Sequence, residues 1–316
     1  METLYITQNK CTVKRENEHL KIMRSGEVLS SVPLIGVKTI VVFDSVSITA
    51  PAMDLLMKNG IDIIYQSMWG KVKGRVFAMN GGGAILRLAQ HSAFLDNEKR
   101  IRIAKSIVAA KIRNQMSTVR KYKYHDANVE FDKKLSLMDG YIQQLETADN
   151  LDVVMGLEGV SAKNYWECFR SLLRDPVFKR REYRPSPDYV NALLNLGYAF
   201  LANEVTTCLA AKQFDLEIGF LHSIHHGRNS LTLDIMEEFR SPFIDAWLLA
   251  LLNKNRIKSD HFHYIDGDWR LTEEGFEKFV NLYHERAPLW HDKFREQANK
   301  IKLSLLESSE YEPYCE

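Results

Sequence analysis

Cysteine is scarce in this chain and never clustered. Cys11, Cys168, Cys208 and Cys315 are the four among 316 residues, with no Cys-x-x-Cys pair. That spacing excludes a disulfide framework and a zinc knuckle, and predicts a reducing, cytoplasmic setting. Long apolar runs are missing as well. The longest, Phe243–Leu252, is interrupted by Asp245 and falls short of the roughly 20 residues that span a bilayer. The amino-terminal stretch shows no charged-then-apolar leader pattern, so no export or membrane role is expected. Net charge is almost nil, with 42 Lys and Arg against 41 Asp and Glu, and the total says nothing about partners. No internal repeat or low-complexity block is visible.

What is present divides by periodicity. Residues 1–78 read as a small β domain, sandwich-like and carrying one short helix. Leu4–Thr7, Thr12–Lys14, Leu20–Met23 and Val28–Val32 are short strand-like segments between turn residues. Lys38–Phe43 and Ile61–Tyr65 are β-branched runs of the kind buried in sheets, and Ala50–Lys58 between them is a helix closed by Asn59-Gly60. Residues 79–84, MNGGGA, form the expected linker. Residues 85–316 then read as a larger all-α domain. Helices are expected over Ile85–Leu95, Asn97–Lys123, Val129–Ala148, Asp188–Ala210, Glu217–His222, Leu231–Phe239, Phe243–Leu252, Leu271–His284 and Leu289–Leu306, with a polar tail to Glu316. The fold class is α+β.

Chemistry concentrates in Gly219–Arg240. His222, His225 and His226 precede a break at Gly227, and Asp234, Glu237 and Glu238 follow on one helix. The spacing of the three carboxylates predicts that they crowd roughly one helix face. Spacing does not choose among the three histidines. In Leu151–Leu173, Leu151, Met155, Ala162, Tyr165, Trp166 and Phe169 make an apolar stripe that also carries Glu158. A carboxylate turned toward a core must be protonated, paired or metal-bound; an ion pair with a lysine or arginine is the plain alternative. Gly156 and Gly159 beside it cost roughly 1 kcal/mol each against Ala, and suggest that something comes close to the backbone. A His/carboxylate set without thiolate suits Mg2+ or Mn2+ and promotes attack on phosphodiesters.

The segment Lys99–Lys123 holds nine basic residues and no acid. Arg102, Lys105, Arg113 and Arg120 lie near one side of it, while Ile107 and Val108 face inward. An unmixed cationic run points to a polyanion, and Lys179, Arg180, Arg181 and Arg184 form a second cluster. Arg102, Lys105, Arg113 and Arg184 are the candidate DNA contacts, through salt-dependent phosphate binding.

These motifs together resemble the CRISPR-associated integrase, the larger of the two proteins that acquire spacers. The matching residues are Gly156-Leu-Glu158-Gly159 with Ala162 and Tyr165-Trp166; Arg184-Pro185 with Pro187-Asp188 and Asn191; Gly219-Phe-Leu-His222; Gly227-Arg228-Asn-Ser230; and Asp234-Ile-Met-Glu237-Glu238-Phe239-Arg240. Leu271-Thr272 with Gly275, and Tyr311 to Tyr314, also fit. The resemblance spans essentially the whole chain. It implies a dimerising N-terminal β domain and an α-helical, metal-dependent catalytic domain. It implies Glu158, His222 and Glu237 as catalytic metal ligands, supported by Asp234, Glu238 and Arg228. It also implies a homodimer joined by a small adaptation partner into a heterohexamer, acting on double-stranded DNA. Short duplexes would be inserted at CRISPR repeats by 3′-hydroxyl attack, with DNA endonuclease activity alongside. Two rival readings are a metal-dependent phosphohydrolase of nucleotides and a non-catalytic DNA-binding scaffold whose acids are only salt-bridged.

Overall fold

The computed structural model describes residues 3–6, 10–43, 45–67, 72–77, 83–123 and 129–316. The chain is mixed α+β, as expected, with strands first and mostly helix afterward. Packing divides it into two units, Met1–Leu88 with Thr206–Asp215, and Ala89–Val205 with Leu216–Glu316.

In the first unit the strands β1 (Thr3–Ile6), β2 (Thr12–Glu16), β3 (His19–Arg24), β4 (Glu27–Pro33), β5 (Thr39–Phe43) and β6 (Ser47–Ile48) precede α1 (Ala50–Lys58), β7 (Asp62–Gln66) and β8 (Val72–Val76). One sheet has the order β1-β5-β7-β8 and the other β4-β3-β2-β6. β1, β5 and β7 run parallel, while β2, β3 and β4 form an antiparallel meander. Parallel strands need cover on both faces, and Thr39–Val42 is accordingly buried at four successive positions. Ile6, Val13, Leu20, Ile40, Val42, Leu56 and Ile63 from both sheets and α1 share one core. The segment 206–215 returns to this unit, where Gln213 Nε2 donates to Asp62 at 2.6 Å and Gln66 Nε2 donates to Thr207 at 3.3 Å.

Residues 79–82 of the glycine-rich stretch lie outside the described residues, and Gly83 and Ala84 open helix α2 (Gly83–Leu95). The second unit is built on α3 (Asn97–Lys123), packed by α4 (Val129–Thr147) and α5 (Leu151–Leu172). Then come α6 (Tyr189–Ala211) and α7 (Ser230–Phe239), which continues through a π-helical turn, Arg240–Asp245, into α8 (Ala246–Asn253). Pro242 sits in that turn, where its missing N–H costs least; such turns recur at functional sites. The chain closes with β9 (Phe262–Ile265), β10 (Asp268–Leu271), α9 (Glu273–Arg286) and α10 (His291–Glu307).

Two expectations are corrected. Glu217–His222 is a loop rather than a helix, because its amides turn to a carboxylate described below. The β9–β10 hairpin replaces an expected stretch of chain without strands; its Asp266-Gly267 turn, with φ of 52° and 82°, is the signal for a two-residue hairpin loop. The polar tail is seated in the unit. Tyr314 stacks on Phe239 with ring centroids 5.1 Å apart, and Gln297 Nε2 donates to the Tyr311 hydroxyl at 2.7 Å.

Candidate active site

The buried stripe of α5 runs through Val154, Ser161, Tyr165, Cys168 and Phe169; it shares Tyr165 and Phe169 with the expected stripe and has Val154, Ser161 and Cys168 where Met155, Ala162 and Trp166 were expected. Met155 is 49% exposed. Glu158 falls on the edge of the true stripe, four residues after Val154 and three before Ser161. Its side chain is 27% exposed and ion-paired with Lys111 of α3. The plain alternative, a basic partner for Glu158, is therefore present. Gly156 and Gly159 face open space: an added Cβ would meet nothing within 4 Å at either.

Lys111 also reaches Glu237, with Nζ 2.6 Å from Oε2, and Arg240 Nε lies 3.0 Å from Glu237 Oε1. Lys111 donates its hydrogen bond to Glu158. Toward Glu237 the same ammonium makes a close ion pair with Oε2, and a hydrogen-bonding contribution from it helps keep that carboxyl ionised. Burial would raise the Glu237 pKa, but Arg240 and Lys111 outweigh it and hold the carboxyl down at about 2. Burial likewise works against the Lys111 ammonium, and Glu237 and Glu158 reverse that to push its pKa above lysine's usual value.

Asp234 organises the histidine. Its carboxylate accepts the backbone N–H groups of Phe220, Leu221 and His222, the last two at 3.0 and 2.9 Å. It also sits 2.7 Å from His222 Nδ1. Gly219 makes this possible: a Cβ there would lie 2.7 Å from Asp234 Oδ2 and 2.8 Å from the Ser230 carbonyl carbon. Nδ1 is the ring nitrogen turned to Asp234, and Nε2 is the one on the other side of the ring. His222 also acts electrostatically on Glu237. His225 and His226 are exposed on the loop.

Glu238 turns elsewhere. It accepts from the Tyr311 hydroxyl at 2.6 Å and the Tyr314 N–H at 2.8 Å, and burial raises its pKa to about 8 in spite of both. The three acids of α7 lie toward one face, as expected, and Asp234 raises the Glu238 pKa electrostatically, yet each reaches a different partner because nearly all of α7 is buried. Arg228 pairs with neither Asp234 nor Glu238 among the described residues. Among the described residues no three His, Cys, Asp or Glu side chains stand close enough to hold a metal ion. Glu158 and Glu237 meet at Lys111, and His222 stands with Asp234.

The basic run is largely structural. α3 is the central helix of its unit, and Lys105 Nζ donates to the Glu146 and Ala148 carbonyls at 2.7 and 3.1 Å, closing the end of α4. In this structure Lys105 thus caps the end of α4. Arg100 donates to the Phe220 carbonyl at 3.1 Å. Arg102, Arg113 and Arg184 are exposed. Lys111 and Arg240 were not singled out by sequence as site residues. A signal for Lys111 exists, since it continues the Ala104–Ile107–Val108 buried stripe toward Asn114 and Gln115, a cation placed where only a carboxylate partner would tolerate it.

The family model described as CRISPR associated protein Cas1 matches residues 4–285. The CRISPR-associated endonuclease Cas1 3 of Thermus thermophilus is 32% identical over 286 residues, covering 90% of this chain and 84% of that protein. A solved chain of a partial Cas6-RT-Cas1–Cas2 complex superposes with a TM-score of 0.83 at 21% identity, over 100% of this chain and 99% of that one. A casposase bound to an integration product superposes with a TM-score of 0.76, also at 21% identity and over 100% of both chains. At such identity the two structural likenesses speak to fold alone.

Proposed function

The chain belongs to the CRISPR-associated Cas1 family, and from that premise we propose that it is a CRISPR adaptation integrase, a metal-dependent DNA endonuclease and strand transferase. The observation that carries this reading is the convergence of Glu158 of α5 and Glu237 of α7 on a single cation, Lys111 Nζ, with His222 already oriented by Asp234. The donor set fits a divalent metal in three respects. It is carboxylate and imidazole without thiolate, which suits Mg2+ or Mn2+. Glu237 Oε2 is buried and already faces a cationic group at 2.6 Å. An ammonium stands in for a cation between the two acids. Glu158, Glu237 and His222 would hold the ion, which when bound activates a hydroxyl and neutralises charge developing on phosphate.

The chain's own groups do the rest. Asp234 fixes the orientation of the His222 ring. Arg240 keeps Glu237 ionised, so that it remains a donor across the physiological range. In strand transfer a new bond forms between the 3′-oxygen of the incoming duplex and a repeat phosphorus. The bond from that phosphorus to the repeat's own 3′-oxygen breaks, and the proton lost by the attacking hydroxyl is matched by one gained at the leaving oxygen. Exposed Arg102, Arg113 and Arg184 are proposed as phosphate contacts. A homodimer through the N-terminal β unit and a small adaptation partner completing a heterohexamer are part of the same proposal; a structural neighbour is a Cas1–Cas2 complex. No helix among the described residues is long and apolar enough to cross a membrane.

The test is transfer of a short 3′-hydroxyl duplex into a repeat-bearing supercoiled plasmid, with the small partner present and with or without Mg2+ or Mn2+. Metal-dependent products from the wild type, lost in folded Glu158→Gln and Glu237→Gln, support the reading. Equal activity in the variants removes these carboxylates from the chemistry. The ion pairs to Lys111 and Arg240 favour one second reading, a DNA-binding scaffold with salt-bridged acids. It predicts intact DNA binding and no metal-dependent product from any of the three proteins.

A further inference from the structure

We propose that Lys111 is an internal cation that keeps the place between Glu158 and Glu237 until a divalent metal ion displaces it, so that this lysine sets the metal affinity of the site. The inference rests on the metal-dependent reading of the same site and adds a competitor to it.

Geometry comes first. Lys111 Nζ donates to Glu158 Oε1 and stands 2.6 Å from Glu237 Oε2. A magnesium ion shared by the same two carboxylates would need oxygens at about 2.0–2.1 Å, and therefore the volume the ammonium fills. The two cations exclude each other.

Charge points the same way. Glu158, Glu237, Lys111 and Arg240 together sum to zero, and the side chains of Lys111 and Glu237 are only 11% and 6% exposed. Adding a doubly charged ion there leaves a buried surplus of two charges, which the departure of one cation halves. Lys111 is the one able to leave. Its charge sits at the end of a flexible four-carbon stem, whereas the Arg240 guanidinium is laid over the Tyr198 ring, 4.5 Å from its centroid. The exchange also accounts for the scattered ligand set: His222 waits on Asp234, and the two glutamates are engaged by lysine rather than by each other's metal.

Displacement has a quantitative consequence. A ligand that binds only molecules with the lysine withdrawn has its apparent affinity lowered by the fraction in that state. Removing the ammonium while keeping the stem, as in Lys111→Met, abolishes that competition.

The experiment is calorimetric titration of the full chain with Mn2+, for wild type, Lys111→Met and Glu237→Gln. The expected result is a site present in wild type, absent in Glu237→Gln, and roughly tenfold or more tighter in Lys111→Met. Mn2+ should also raise the melting temperature of Lys111→Met more than that of wild type. Equal or weaker binding by Lys111→Met, beside a wild type that binds and a Glu237→Gln that does not, overturns the competition and leaves the metal-dependent reading standing. Absence of a Glu237-dependent site in both wild type and Lys111→Met overturns both. If Lys111→Met is unfolded without metal, refolding on adding Mn2+, read by circular dichroism, supports the exchange; failure to refold at millimolar Mn2+ overturns it.

Discussion

Asp234 and His222 are joined side chain to side chain at 2.7 Å, and the same carboxylate gathers the amides of Phe220, Leu221 and His222. One acid thus shapes the loop and aims the ring it delivers. Asp234→Ala strips the loop of its acceptor and leaves buried N–H groups unsatisfied, each worth about 1–3 kcal/mol. Urea denaturation should show a loss of roughly 3 kcal/mol or more. Metal binding should fall with it, even though Asp234 is not proposed as a ligand.

Gly219 permits that contact by having no side chain. Gly219→Ala places a carbon against the Asp234 carboxylate and the Ser230 backbone, and backbone cannot yield cheaply. The expected cost is about 1–3 kcal/mol, measured by chemical denaturation, with the His222 ring displaced in the same variant.

Gly156 and Gly159 should behave in the opposite way. They sit inside α5 with free space around an added Cβ, so alanine restores helix propensity and should stabilise by up to about 1 kcal/mol at each position. A rise in melting temperature checks the first half. The glycine spacing suggests close approach of a partner, and nothing in the described chain makes it. If DNA does, the stabilised variants lose strand transfer, and unchanged transfer would remove that role.

Asp245 carries a pH dependence. It is buried with the Tyr165 hydroxyl donating to Oδ2 at 2.8 Å and the Tyr198 hydroxyl donating to Oδ1. Burial pushes its pKa up to about 6 in spite of both donors. A raised folded pKa means that the folded state holds the proton more tightly than the unfolded one. The associated stability is complete below about pH 4, the usual unfolded value, and is lost as pH rises through about 6. The loss is roughly 3 kcal/mol at 1.4 kcal/mol per pKa unit. Asp245→Asn should flatten the stability profile across that window, as denaturation midpoints between pH 4 and 7 would reveal.

Much of the site was legible from residue order. Glu158 was marked by its place near an apolar stripe, and His222, Asp234 and Glu237 by their density around a glycine break. The resemblance ranked them. The direction of each side chain was not legible. α7 is buried at nearly every position, so three acids within five positions find three different partners, a fact that helical spacing alone cannot express. In the α5 stripe Tyr165 and Phe169 are buried as expected but Met155 is exposed, since apolar identity does not by itself report burial. Lys105 reads as part of a cationic face, and only the structure shows that it also caps α4, since that depends on which carbonyls lie within its reach.

By itself the sequence determined what local physics controls. Short turn-bounded segments and β-branched runs marked the β unit, period-3.6 segments the helical one, and glycine the turn before the acid-bearing helix. Tertiary structure alone decided which charges meet. Lys111 reaches Glu158 and Glu237 from helices distant in sequence, and Glu238 is held by a tail residue, Tyr311. Electrostatic partnership falls off with separation in space and not along the chain, so it exists only once the helices have packed.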